Sequence, residues 1–486
     1  MGIPKQINMV YKFLPKNCLF EFICYFQIFM ETTVCLLILL LSLPFSFYRW
    51  FVIQFVFFFR KDLGKILSPC DLVCDNDQEG IVISCSNPIP KNSILFTLVL
   101  DGILKLSDLQ FIFKKNVIDI KKYPQLKQYP TNFMGYRFWK QDDNFNIENH
   151  VVQEKVEGSL SNLHENLLNR PFLPKRSPWE LVLIQNQEKK QTILGFRISH
   201  TMSDVKSAMK LLCNHLGQQP FKQEAVGNEK TVSLLHEIFK IIPNLISFMN
   251  TVIRGRFHPW KNFNFDEKIS YSVAFSPSIS LPDIKVISKK NNASGSSVIM
   301  ASITGAIHNL QEEALQCKTL CWYPLLRENH PDTEMKNHFY ITVASLPVNE
   351  PCREKRLKEC HQMFTSLRKN YMEKLLDSLM LIKNVPGQVR RHLLKNEMAP
   401  TFITNNLGSK EKFNIGGIPV VQLCGSFALL EGSVGVGFFI LSYGDELNIS
   451  VICKGNTVSR TILKRLANGI GKELEMLKEL EGSQKN

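Results

Sequence analysis

No Cys-x-x-Cys pair occurs among the 13 cysteines, and the odd count cannot close into a complete disulfide framework. Cys70 and Cys74 stand four apart, as do Cys317 and Cys321, a spacing that one helix face produces as readily as a metal site. Such usage is that of ordinary intracellular thiols and argues against a zinc module. Acidic residues are also short: 44 Asp and Glu face 58 Lys and Arg, giving a formal net charge of +14. That excess favours an anionic partner, either phosphate-bearing ligands or an acidic membrane surface. Nucleic acid is not expected, because the basic pairs (Lys114-Lys115, Lys121-Lys122, Lys189-Lys190, Lys289-Lys290) are scattered. No zinc-finger spacing, RNP-like motif or basic zipper accompanies them. A Gly-x-Ser-x-Gly elbow and a Cys-His signature are missing too, so a covalent acyl-enzyme has no support. Gly432 to Gly437 is glycine-rich but lacks the Lys-Ser/Thr that a P-loop requires, and reads as a turn before a strand.

What remains is a globular composition, 44% hydrophobic and 21% charged over 486 residues. That length suits about two to three domains or one large two-lobed body. From Thr32 to Phe59 the chain carries one charge, Arg49, and shows no polar face at helical spacing. Roughly 20 apolar residues cross a bilayer, so a membrane anchor is expected, kinked or turned back at Pro44. The aromatic-rich run Leu19 to Met30 would lie in the interface or lengthen that anchor. Arg60, Lys61 and Lys65 against Lys12 and Lys16 tip the orientation slightly toward a cytoplasmic C-terminal body; the membrane expected is that of the endoplasmic reticulum. Asn292-Ala293-Ser294 and Asn448-Ile449-Ser450 are glycosylation-type triplets, common by chance.

The expected organisation is an anchor over 1–65, a first lobe over 66–225, a crossover linker and helix over 226–290, and a second lobe over 291–486. Strands are expected at Ser93-Leu100, Leu181-Ile184 and Gln191-Ile198, and helices at Leu104-Phe113 and Val205-Leu216. Thr231-Arg254 has apolar residues at helical spacing and reads as a crossover helix or a membrane-surface one. In the second half Ser297-Leu310 and Ser459-Leu480 read as helices. Thr319-Leu326, Asn337-Leu346, Thr401-Thr404, Gly435-Leu441 and Leu447-Lys454 read as strands. Two α/β halves place a ligand channel at their junction.

The chemistry centres on Ile198-Ser199-His200-Thr201-Met202-Ser203-Asp204. A histidine at the end of a buried strand can be held firmly yet reached by substrate, and an aspartate four positions on can brace the loop. The plain alternative is an N-capping Asp204 beside a packed His200. Around this motif stand other blocks. Arg170-Pro171-Phe172-Leu173 runs to Ser177-Pro178-Trp179-Glu180, with Trp179 expected in packing. Tyr323-Pro324-Leu325-Leu326-Arg327 precedes Asn337 and Leu346-Pro347-Val348. Thr404-Asn405-Asn406-Leu407-Gly408, Gly416-Gly417-Ile418-Pro419-Val420 and Ser442-Tyr443-Gly444 follow. In this order the blocks resemble the wax ester synthase/diacylglycerol acyltransferase family, whose relatives are the chloramphenicol-acetyltransferase-like enzymes with a His-His-x-x-x-Asp-Gly signature. The resemblance covers most of the chain beyond residue 90.

It implies an α/β, two-lobed, coenzyme-A-dependent acyltransferase fold. The activity implied is transfer of a fatty acyl group from acyl-CoA to a lipid alcohol or diacylglycerol. Acyl-CoA would be a co-substrate, with no permanently bound cofactor and no metal. His200 would be the general base. Asp204 would hold the loop through an ion pair with Arg327 and relay no proton. Asn405 would be the candidate oxyanion donor. The departures are Ser199 for the first histidine, Val205 for the glycine, and Ser296-Ser297 for the family's Asn-Asp pair.

Overall fold

The computed structural model describes residues 33, 40, 43–67, 93–155, 158–221, 270–310, 319–326, 330, 335–369, 386, 399–429, 434–455 and 457–480. Three sheets organise them. A six-stranded sheet runs in the order Asn414–Ile415, Ile418–Phe427, Ser93–Leu100, Gln191–Ser199, Trp179–Asn186 and Val151–Gln153. A second sheet runs Phe339–Leu346, Thr319–Leu326, Thr401–Asn406, Val436–Tyr443, Glu446–Lys454 and Tyr271–Phe275, with Ile279–Ser280 added beside Glu446–Lys454. The third is a small sheet of Leu63–Ile66, Tyr136–Gln141 and Gln128–Phe133. A two-lobed α/β body follows, as expected. One buried apolar cluster joins the six-stranded sheet to one face of the second sheet, through Phe402, Phe439 and Tyr443, and another packs the second sheet's other face against its helices.

The expected strands form with boundaries close to those read from the sequence, because they are buried on both faces. Every residue of Ser93–Leu100 is buried, and so is every residue of Val436–Tyr443, which is why neither alternates polar and apolar positions. Helices start where a small polar side chain can accept from the first turn. Ser159, Ser294 and Ser459 accept from the backbone N–H of Asn162, Ser297 and Ile462. The crossing strand Ile418–Phe427 is not among those read from the sequence. It comes from the second half of the chain yet pairs antiparallel with Ser93–Leu100 of the first lobe, Leu423 opposite Leu98 and Ser426 opposite Leu95. Gly416 and Gly417, at φ 59° and 81°, make the tight hairpin turn that starts it.

The spanning anchor is not supported. Among the described residues no helix is long and apolar enough to cross a membrane. The rest of the expected anchor and the Leu19 to Met30 run lie outside the described residues, as does the Thr231-Arg254 helix. What is described is a helix over residues 43–59 seated by one face on the small sheet. Val52 and Val56 are buried against Leu63, Tyr136 and Phe138, Phe55 stacks on Phe133 at 6.0 Å, and Tyr48 donates to the Met134 carbonyl at 3.3 Å. A helix bedded on protein along one side cannot be ringed by lipid. Its other side carries Phe57, Phe58 and Phe59 at 70%, 63% and 71% exposure. Of the two glycosylation-type triplets, Asn448 is buried and donates to the Leu423 carbonyl at 3.1 Å, so it is not available as an acceptor.

Candidate active site

His200 follows directly on the buried strand Gln191–Ser199. The end of that strand is fixed from behind by charge. Arg197, fully buried, ion-pairs with Glu180 at 2.6 Å, donates to the carbonyls of Leu167 and Arg170, and stacks over Phe172 at 4.0 Å. Arg170 in turn pairs with Glu180 and Glu154. This accounts physically for the Arg170 to Glu180 block: it supplies the counter-charges and carbonyls that a buried guanidinium needs. Trp179 packs, as expected, between Phe113 at 5.0 Å and His150 at 4.5 Å, with its Nε1–H donating to the Leu126 carbonyl.

Asp204 fills both roles that the sequence leaves open. It is the N-cap of Val205–Lys210, accepting from the Ser207 N–H at 2.7 Å. It also accepts from His330 Nε2–H at 2.9 Å and from the His338 N–H at 2.8 Å. Burial alone would raise its pKa, but these donors hold the carboxyl below the usual range. Arg327, the expected ion-pair partner, lies outside the described residues; the imidazole that does meet Asp204 belongs to His330, which no sequence signal marks.

His200 is half-buried. Its Nδ1 lies 2.8 Å from Asn337 Oδ1, while Asn337 Nδ2 donates to the His200 carbonyl at 2.7 Å. Burial holds the imidazole below its ordinary pKa, against the opposing pull of its own backbone carbonyl, the Asp204 charge and Asn337. The ring sits 5.6 Å from Phe339. Asn337 belongs to a recognised block, but its reach to His200 is not legible because the two are 137 positions apart.

One pocket collects these groups at the junction of the lobes. His200, Asp204, Val205 and Lys206 line it from the first lobe. Pro324, Leu326, Phe339, Ile341, Phe402, Thr404, Asn405, Phe427 and Phe439 line it from the second half of the chain. The three predicted residues His200, Asp204 and Asn405 therefore share one cavity. Asn405 Nδ2 donates to Ser296 Oγ at 3.2 Å, so the position of the family's Asn-Asp pair still touches the site. Ser199, in place of a first histidine, joins Thr201 Oγ1 at 2.8 Å and steadies the turn. Gly408 lets the chain pass against the Ser442 carbonyl, where a Cβ would collide, and its N–H donates to Ser442 Oγ at 3.0 Å. That approach locks the Asn405 to Gly408 block onto the Ser442 to Gly444 turn. Among the described residues no His, Cys, Asp and Glu cluster could hold a metal ion.

The fold defines the class: the two-lobed architecture shared by CoA-dependent acyltransferases and condensation domains. A wax ester synthase/diacylglycerol acyltransferase from Marinobacter aquaeolei VT8 superposes with a TM-score of 0.57 at 16% identity, covering 86% of this chain and 100% of that one. A trichothecene 15-O-acetyltransferase from Fusarium sporotrichioides gives 0.60 at 10% identity over 86% and 95%. More particularly, residues 335–478 match the family model of the WS/DGAT C-terminal domain. Curated proteins of two Mycobacterium tuberculosis strains, named as diacylglycerol O-acyltransferases, are 24% identical over 193 residues. That match spans 37% of this chain and 40% of the relatives' length. The resemblance read from the sequence blocks is thus borne out.

Proposed function

We propose that this chain transfers a fatty acyl group from acyl-CoA to the hydroxyl of a lipid alcohol, giving a wax ester, or of diacylglycerol, giving triacylglycerol. One observation carries the reading: an imidazole of lowered pKa opens into a largely apolar pocket between the lobes. An alcohol is a poor nucleophile until its proton is removed as it attacks. His200 Nε2 takes that proton, the alcohol oxygen bonds to the thioester carbonyl carbon, the carbon–sulfur bond breaks, and the thiolate leaves and regains a proton from the imidazolium. Asp204 steadies the loop, and Asn405 is the candidate donor to the transient oxyanion. The apolar lining suits an acyl chain, and the named activities of the Marinobacter and Mycobacterium relatives agree with this chemistry.

The same proposal places the chain at a membrane surface, with the body on the cytoplasmic side of the endoplasmic reticulum. The exposed aromatic face over residues 43–59 and the adjacent Lys61 and Lys65 support the contact with a membrane surface. Purified full-length chain incubated with labelled acyl-CoA and a panel of long-chain alcohols, diacylglycerol and sterol should form ester, and His200→Ala should lower the rate at least ~100-fold. Equal rates in wild type and His200→Ala would remove His200 from the mechanism. A non-catalytic lipid-binding body is the second reading, favoured by Ser199 and Val205 at signature positions; it requires no ester from either protein.

A further inference from the structure

We infer that Asn337 is a positioning residue that fixes which ring nitrogen of His200 serves as the base. The inference rests on an obligate acceptor. The His200 carbonyl can only accept, so the Asn337 group 2.7 Å from it must be the amide NH2. The amide oxygen then faces His200 Nδ1 at 2.8 Å. An oxygen that can only accept requires a proton on Nδ1, and in the neutral ring this leaves Nε2 bare, with its lone pair available. One side chain thereby sets the orientation of the imidazole through its ring and through its own backbone.

The neighbours of Asn337 hold it in register. Ser207 Oγ donates to the Lys336 carbonyl at 2.9 Å, and the His338 N–H donates to Asp204 Oδ2 at 2.8 Å. Residues 336–338 are therefore laced to the motif loop on both sides of Asn337. Besides capping its own helix, the Asp204 carboxylate holds the segment that carries Asn337, so it acts on His200 through another chain segment. The kinetic part of this inference rests on the acyltransferase reading; the tautomer part does not.

Two measurements on the full-length protein test it. Nitrogen-15 NMR of histidine-labelled protein, with His200→Gln to assign the signal, should show wild-type His200 protonated at Nδ1 above its pKa, and Asn337→Ala should give a mixture of tautomers. In the ester-forming assay Asn337→Ala should lower kcat about 100-fold with KM changed less than about threefold. Asn337→Asp keeps an acceptor for Nδ1 but adds a negative charge. It should recover part of kcat and shift the acid limb of the pH profile upward, which a purely structural role would not do. A wild-type ring protonated at Nε2, or an Asn337→Ala kcat within twofold of wild type, would overturn the assignment. If Asn337→Ala does not fold, Asn337→Leu, which keeps the volume and removes both polar groups, is read for the same mixture of tautomers. If no acceptor gives ester while Nδ1 is protonated, the acyltransferase reading fails and the role of Asn337 in setting the ring stands.

Discussion

Burial lowers the pKa of His200, and this fixes the sign of its pH response. The neutral ring is the base, so kcat/KM, which reports the free protein, should hold as pH falls past the ordinary histidine value of about 6.5 and drop only on passing below the lowered value. An acid limb centred above about 6.5 would contradict the burial of this ring. Asp204 faces three donors, from Ser207, His330 and His338. Asn at this position supplies one acceptor oxygen and one amide that opposes a donor. Asp204→Asn should therefore destabilise the protein by about 3 kcal/mol in chemical denaturation and lower kcat with it. At this scale the sequence is informative about His200 and Asp204, whose spacing is local. It is silent on His330 and on the role of Asn337, because those contacts close over 126 and 137 positions.

Among the elements, the helical layer of the second lobe turns on Glu473 of Arg460–Glu479. It is buried, pairs with Arg356 at 2.8 Å and Arg353 at 3.1 Å, and accepts from Asn309 at 2.7 Å. Glu473→Ala leaves Arg356 buried without its partner and should cost about 3–5 kcal/mol in equilibrium unfolding. In the first lobe His164 bridges Thr97 and Ser426 at 2.7 and 2.6 Å, and burial pushes its pKa down to about 3. The unfolded chain takes up this proton near pH 6.5 and the folded one does not, so stability should fall as pH drops from about 6.5 toward 3. His164→Gln should flatten that slope. Elements are largely legible: buried strands and serine-capped helices announce themselves locally. The crossing strand is not, because an Ile-Pro-Val start with a polar Gln422 carries nothing to name its partner sheet.

For the whole molecule, the helix over residues 43–59 reads as part of a span because it carries a single charge, Arg49, and shows no polar face at helical spacing. The structure shows that one side of that apolar surface is answered by protein, at Tyr136 and Phe138. A sequence cannot tell lipid from a partner sheet. Burying two phenylalanines in an interface is worth about 3 kcal/mol or more, so Phe57→Glu with Phe58→Glu should weaken binding to anionic vesicles more than tenfold, measured by co-flotation. The strand Ile418–Phe427 has a wider consequence. The matched family stretch, 335–478, contains this strand, which is hydrogen-bonded into the opposite lobe, and omits Tyr271–Phe275 and Thr319–Leu326 of its own sheet. A unit of inheritance is here not a unit of folding: expressed alone, that stretch would leave a gap in one sheet and a bare edge in the other, so neither half of this polypeptide can mature without its counterpart.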